Sequence, residues 1–197
     1  TGASVTADPA STTTYTVTVT GSNGCTDTDD VIVTVDETAP TANAGSDAII
    51  DCNSTGGEES LDGSGSTGGM NYSWTTGGGN IVSGGATNTA VVNAAGTYTL
   101  TVTNPSNGCS STDDATVTQD LTTPTASVAA PSQIDCVSPS TTVDGSASTN
   151  TAGGTTGLTY SWTASNGGVI SGSTTGSTCT ATAAGDYTLT VTQANGC

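Results

Sequence analysis

The chain has no lysine, no arginine and no histidine. It also has no phenylalanine and a single methionine. A surface without cations repels phosphate, which excludes nucleic acid as a partner and disfavours anionic membranes. Without histidine there is no imidazole for acid–base work or for ordinary zinc and copper sites. Without lysine there is no Schiff base and no Lys–Asn crosslink, and trypsin-type proteases find no cleavage point. No apolar run is long enough to cross a bilayer, so this segment is expected to make no membrane insertion. No Cys-x-x-Cys occurs, which argues against a redox motif or a zinc ribbon.

What is present is Thr, Ser, Gly, Asn and Val, with 17 acidic residues giving a net charge of −17. Low charge and modest hydrophobicity can signal disorder. Here, however, apolar residues alternate with Thr in period-2 runs, the pattern of half-buried strands. Six cysteines, at 25, 52, 109, 136, 179 and 197, point to an oxidising, extracellular setting.

One phrase occurs three times: TYTVTVTGSNGC at Thr14–Cys25, TYTLTVTNPSNGC at Thr97–Cys109 and DYTLTVTQANGC at Asp186–Cys197. Its tyrosines, at 15, 98 and 187, are spaced by 83 and 89 residues. Solenoid repeats run at roughly 20–50 residues, so units this long can each hold a core. The expected organisation is the C-terminal part of a first module at 1–36, a complete second module at 37–120, and a third at 121–197 that lacks its last strand. Two linkers share a T-x-P-T phrase, around Pro40 and Pro124. The chain thus reads as a window onto a longer repetitive protein.

The complete copy predicts about seven short strands: Ala48–Cys52, Glu59–Gly63, Met70–Trp74, Asn80–Val82, Asn88–Asn93, one running from Tyr98, and a last one through Ala115 and Val117. Turn signals separate them, including Asn107–Gly108. The fold class is all-β, a tandem of Ig-like sandwiches of about 85 residues each. The expected core is Tyr15, Leu61, Tyr72, Trp74, Tyr98, Leu100, Val143, Tyr160, Trp162, Tyr187 and Leu189, with Val31 and Val33 inward in the first copy. Gly-x-Tyr ahead of the penultimate strand has the form of a tyrosine corner. The antibody-type disulfide does not fit, because Leu100 stands two residues after Tyr98.

LDGSGST (Leu61–Thr67) and VDGSAST (Val143–Thr149) resemble the L-D-x-S-x-S phrase of PKD domains. With YSW, GTYTLTVT and NGC, the chain is similar over its whole length to PKD-like and Ig-like repeats of large Bacteroidota surface proteins, including gliding adhesins. It departs from true PKD domains at Trp74, which TTGGG follows in place of the D-F-G-D-G of W-D-F-G-D-G. The resemblance implies secretion, a cell-surface or filament location, and a spacer or adhesive role.

Catalysis finds no constellation. Asp62 and Asp144 sit in Asp-Gly-Ser turns rather than the Asp-Thr-Gly of an aspartic protease, and read as turn formers. The adjacent pairs Glu58–Glu59, Asp29–Asp30 and Asp113–Asp114 point to opposite faces of a strand. Calcium is the cofactor to weigh, with Asp27, Asp29, Asp30, Asp113 and Asp114 before the last strand and Asp36 and Asp47 around a linker. Against it stands a plain solubilising acidic surface.

The cysteines allow 15 pairings. The simplest bookkeeping is one bond per module, Cys52–Cys109 and Cys136–Cys197, with Cys25 pairing upstream. A difficulty is that Cys52 ends an early strand and Cys109 begins the last. The competing set, Cys25–Cys52 and Cys109–Cys136, would join neighbours. Cys179 has no counterpart in the second copy; it pairs with Cys197, pairs between chains, or stays free.

The functional expectation is a non-enzymatic extracellular stalk, fibre or adhesin segment whose partners are further copies of the repeat. The rival is a module that binds surface polysaccharide through loops at the sandwich ends. A third reading is an accessory domain of a secreted hydrolase.

Overall fold

A computed structural model describes residues 4–197. Its strands follow the Thr–apolar alternation, because a strand with Val, Leu or Tyr at every second position offers one face to a core. In the first unit, β1 (Thr13–Thr20) and β2 (Thr26–Val33) form an antiparallel hairpin. The second unit contains β3 (Ala48–Asp51), β4 (Glu59–Asp62), β5 (Asn71–Thr76), β6 (Ile81–Ser83), β7 (Thr89–Val92), β8 (Gly96–Thr103) and β9 (Ser110–Asp120). They build two sheets, in the orders β3-β9-β8-β5 and β4-β7-β6. The third unit repeats part of the scheme, without counterparts of β3 and β9: β10 (Thr141–Asp144), β11 (Thr159–Ser165), β12 (Ile170–Ser171), β13 (Thr178–Ala181) and β14 (Asp186–Thr192), in the orders β10-β13-β12 and β11-β14. A single 3-10 turn, Thr55–Gly57, completes the described elements.

The strand order of the second unit is that of an Ig-like sandwich. β4, β7 and β6 occupy the B, E and D positions; β5, β8 and β9 occupy C, F and G, with β3 added in parallel alongside β9. Its core joins Ile50, Leu61, Trp74, Val92, Tyr98, Leu100, Val102 and Val117. A smaller cluster around Val143, Trp162, Cys179 and Ala181 forms the third core. Both buried indoles are satisfied: Trp74 Nε1 donates to Thr87 O at 3.1 Å and Trp162 Nε1 to Gly176 O at 2.9 Å.

The tyrosine corner is present twice. Tyr98 Oη donates to Ala94 O at 2.7 Å and accepts Asn80 N–H at 2.9 Å. Tyr187 Oη repeats this with Ala183 O at 2.6 Å and Val169 N–H at 3.0 Å. The glycine two residues before each tyrosine is required by a close backbone approach: a Cβ on Gly96 would lie 2.7 Å from Gly79 N, and one on Gly185 would lie 2.1 Å from Gly168 N. The Asp-Gly-Ser turns are structural. Asp62 and Asp144 accept the N–H of Ser64 and Ser146, at 2.9 and 2.8 Å. The last serine of each phrase, Ser66 or Ser148, is buried and takes the N–H of the incoming linker, from Asn43 or Ser127.

Six residues expected to point inward are only half-buried: Tyr15, Val33, Tyr72, Tyr160, Tyr187 and Leu189. Val31 is 60% exposed, and Val17 and Val19 are also exposed, whereas their counterparts Leu100 and Val102 are fully buried. The cause is local. In the second unit the β4-β7-β6 sheet covers that face, and among the described residues no second sheet covers the β1–β2 hairpin. In the third unit β14 has only β11 beside it.

Candidate functional site: the junction between units

The feature that sets this chain apart from a string of independent sandwiches lies at the seam between units. It is built from three local pieces. The first is the Asn-Gly-Cys hairpin end. Gly24, Gly108 and Gly196 all adopt left-handed φ, between 77° and 82°. In each copy the asparagine Oδ1 accepts the cysteine N–H: Asn23 to Cys25 at 3.1 Å, Asn107 to Cys109 at 3.0 Å, and Asn195 to Cys197 at 3.2 Å. Such Asx geometry is why Asn precedes these turns. It leaves the amide Nδ2 free to donate.

The second piece is the start of the linker. Asp36 Oδ1 accepts Thr38 N–H at 3.0 Å, and Asp120 Oδ1 accepts Thr122 N–H at 3.1 Å. Hydrogen bonds from the Thr38 hydroxyl and N–H hold the Asp36 carboxyl below its ordinary range, and Thr122 does the same for Asp120. The free amide of the next hairpin then clasps this turn. Asn107 Nδ2 donates to Thr38 O at 3.0 Å, and Asn195 Nδ2 donates to Thr122 O at 3.0 Å. Both linkers therefore carry the same Asn–Thr bond at the same distance.

The third piece is the turn after β3. Asp51 Oδ1 collects the N–H groups of Asn53 and Ser54, at 2.8 and 3.2 Å. Buried Ile50 roots the turn in the core. The turn presents Cys52 to Cys197, and the two form a disulfide with Cα atoms 5.0 Å apart and 145 residues between them in sequence. Beside it Cys52 N–H donates to Asn195 O at 3.0 Å. The approach is tight: a Cβ on Gly196 would lie 2.3 Å from Asn53 Oδ1.

This bond corrects the pairings that the sequence offered within the chain, while a free Cys179 was one of the alternatives it left open. Cys52–Cys109 and Cys136–Cys197 do not form, and neither do Cys25–Cys52, Cys109–Cys136 or Cys179–Cys197; Cys25, Cys109, Cys136 and Cys179 are free. The reason is strand length. β3 runs parallel to β9 with Asp51 opposite Asp120, so Cys52 sits at the end of the sandwich where β9 finishes. Cys109 sits where β9 begins. Eleven residues of strand separate those ends by about 35 Å, far beyond disulfide reach. The junction asparagines were not singled out as functional. The signal that finds them is their recurrence before Gly-Cys in all three copies.

The acidic residues do other work. Among the described residues no three carboxylates, thiols or imidazoles gather as a metal site. Asp113 Oδ2 accepts Ala44 N–H and Asp47 Oδ1 accepts Thr116 N–H, both at 2.8 Å, which ties the linker to β9. Asp27 and Asp29 accept neighbouring N–H groups on β2. A cleft of about 430 Å³ in the third unit is lined by Pro131, Ile134, Val143, Ala181 and Tyr187. In the second unit β9 lies between β3 and β8, with Ala115 and Val117 buried. Both tryptophans and Tyr98 are buried, and the other four tyrosines are half-buried.

No protein family matches the chain, and no curated protein does. Solved structures resemble it distantly. The N-terminal eight Ig domains of Down Syndrome Cell Adhesion Molecule share 13% identity at a TM-score of 0.40, over 91% of this chain and 34% of that one. The titin domains z1z2, solved in complex with telethonin, share 14% at 0.34, over 79% and 89%. The extracellular cadherin domains 1–4 of Protocadherin Gamma B7 share 14% at 0.32, over 93% and 54%. This chain spans about a third of the adhesion-molecule fragment. The Ig-like assignment rests on the strand order and the tyrosine corners.

Proposed function

We propose that this chain is a non-enzymatic, extracellular structural and adhesive segment, in which the C-terminal part of one Ig-like unit (1–36), a complete unit (37–120) and a third lacking its last strand (121–197) follow one another as a stalk or filament. The observation that carries the reading is the Cys52–Cys197 bond across a unit boundary. A covalent tie between successive sandwiches constrains their relative movement, a property that serves a rod and contributes nothing to a solitary domain. The repeated Asn107–Thr38 and Asn195–Thr122 clasps support it, because they make the two seams alike. The same bond favours an oxidising compartment. Catalysis finds no support, since the serines and threonines have no histidine or lysine to act as their base.

The test is electron microscopy of the oxidised protein alongside a screen against immobilised surface polysaccharides. Rod-shaped particles and no glycan retention are expected. Compact particles that bind a glycan at a sandwich end would move the assignment to a recognition module.

A further inference from the structure

We infer that Cys52–Cys197 is one instance of a directional rule, in which the cysteine of the Ile-Asp-Cys turn in each unit bonds the Asn-Gly-Cys cysteine of the next. Cys109 is then the hairpin half of a bond to the unit before it, and Cys136 the turn half of a bond to a unit after the third. Their partner is a further copy of this repeat. The inference rests on the array reading above and names its contacts.

Three observations carry it. First, the unused halves are already formed. Asp135 Oδ1 collects the N–H groups of Val137 and Ser138 at 2.8 and 2.7 Å, as Asp51 does around Cys52, and Ile134 packs on the third core as Ile50 does on the second. Cys136 is exposed on that turn. Second, Asn107 holds Cys109 N–H and clasps Thr38, which is the arrangement that brings Cys197 to Cys52 one unit later. Third, the geometry has polarity. The turn half and the hairpin half lie at opposite ends of a sandwich, so a unit cannot satisfy itself. Cys109 and Cys136 cannot satisfy each other either, because that bond would run from a hairpin back to the turn of the following unit. Cys25, in the same hairpin setting as Cys109 and Cys197, is a third hairpin half. A head-to-tail contact of this kind joins two different surfaces, so each added copy leaves one of each for the next.

Forming each bond converts two thiols to one disulfide with loss of two protons and two electrons. A small or protein-borne disulfide accepts them by exchange: one thiolate attacks it, the second displaces it, and it leaves as two thiols.

Non-reducing peptide mapping of the naturally produced protein tests the rule. Cys109 is expected in a cystine with an Ile-Asp-Cys-type peptide, and Cys136 with an Asn-Gly-Cys-type peptide. Cys109 joined to Cys52, Cys136 to Cys197, or both left free overturns it. Denaturing electrophoresis then locates the supporting copy: a mass that falls on reduction places it on another chain, and an unchanged mass places it on the same one. A second measurement uses the 197-residue chain with oxidised glutathione. Multimers joined through Cys25–Cys136 are expected, lost in Cys136→Ser and unchanged in Cys179→Ser. Multimers that persist in Cys136→Ser, or that join Cys25 to Cys109, overturn the rule. Rods that survive reduction with Cys109 and Cys136 free defeat the rule alone. Correctly paired cysteines in compact particles defeat the array reading alone.

Discussion

Asn195 reaches across a unit boundary to Cys52: its carbonyl accepts the Cys52 N–H at 3.0 Å, while its side-chain amide donates to Thr122 O at 3.0 Å. One residue thus joins the turn of the sandwich behind it to the linker that opens its own unit, and is itself 9% exposed. Asn195→Ala removes the side-chain bonds and leaves the disulfide intact. A loss of about 1–2 kcal/mol is expected, the usual consequence of deleting a buried hydrogen bond. The denaturant midpoint measures it, and faster reduction of Cys52–Cys197 should accompany it.

Breaking the bond itself has a larger effect. A disulfide spanning 145 residues is worth up to ~5 kcal/mol on the loop-entropy estimate. Cys52→Ser should therefore lower the unfolding midpoint by more than Asn195→Ala does. Equal stability of the oxidised and reduced chains would show that the junction orders nothing.

The tyrosine corner gives a paired prediction. Tyr98→Phe loses the bonds to Ala94 O and Asn80 N–H and should cost about 1–2 kcal/mol. Gly96→Ala should cost more, because its Cβ meets the backbone of Gly79 rather than a movable side chain. Thermal unfolding of the two variants ranks them.

Every side-chain charge has the same sign, so added salt screens repulsion and breaks no ion pair. The melting temperature should rise between low and physiological salt. A fall would contradict the charge argument.

Asp36 and Asp120 have carboxyls held below the ordinary value of 3.8 by their threonine partners. A depressed folded value means that the stabilisation is fully present above the unfolded pKa and is lost as pH falls through the folded one. The linker turns should thus be unchanged from neutral pH to about pH 4 and loosen only below it. Carboxyl-carbon NMR titration of these two residues reads this directly.

The parts of the fold that sequence made legible are those that depend on local period. Thr–Val alternation located the strands, the Gly-x-Tyr phrase marked the corner, and Trp74 and Trp162 marked the two cores. The junction was less legible because disulfide choice depends on which end of a sandwich a residue occupies. Counting cysteines per repeat treats each unit as closed. The relevant clue was the strand between Cys52 and Cys109, whose length already argued against that pairing. The half-burial of Tyr15 and the exposure of Val17 were invisible for another reason: alternation identifies an apolar face, and only the second sheet decides whether that face is covered.

The Cys52–Cys197 bond turns most of the second and third units into one closed ring. A single peptide-bond cut in any loop inside that ring, such as the glycine-rich turn at Thr75–Asn80, opens the ring without parting the molecule. The severed ends stay attached through sulfur, and the strand pairings on both sides hold them in register. Severance therefore needs a second nick or a reductant.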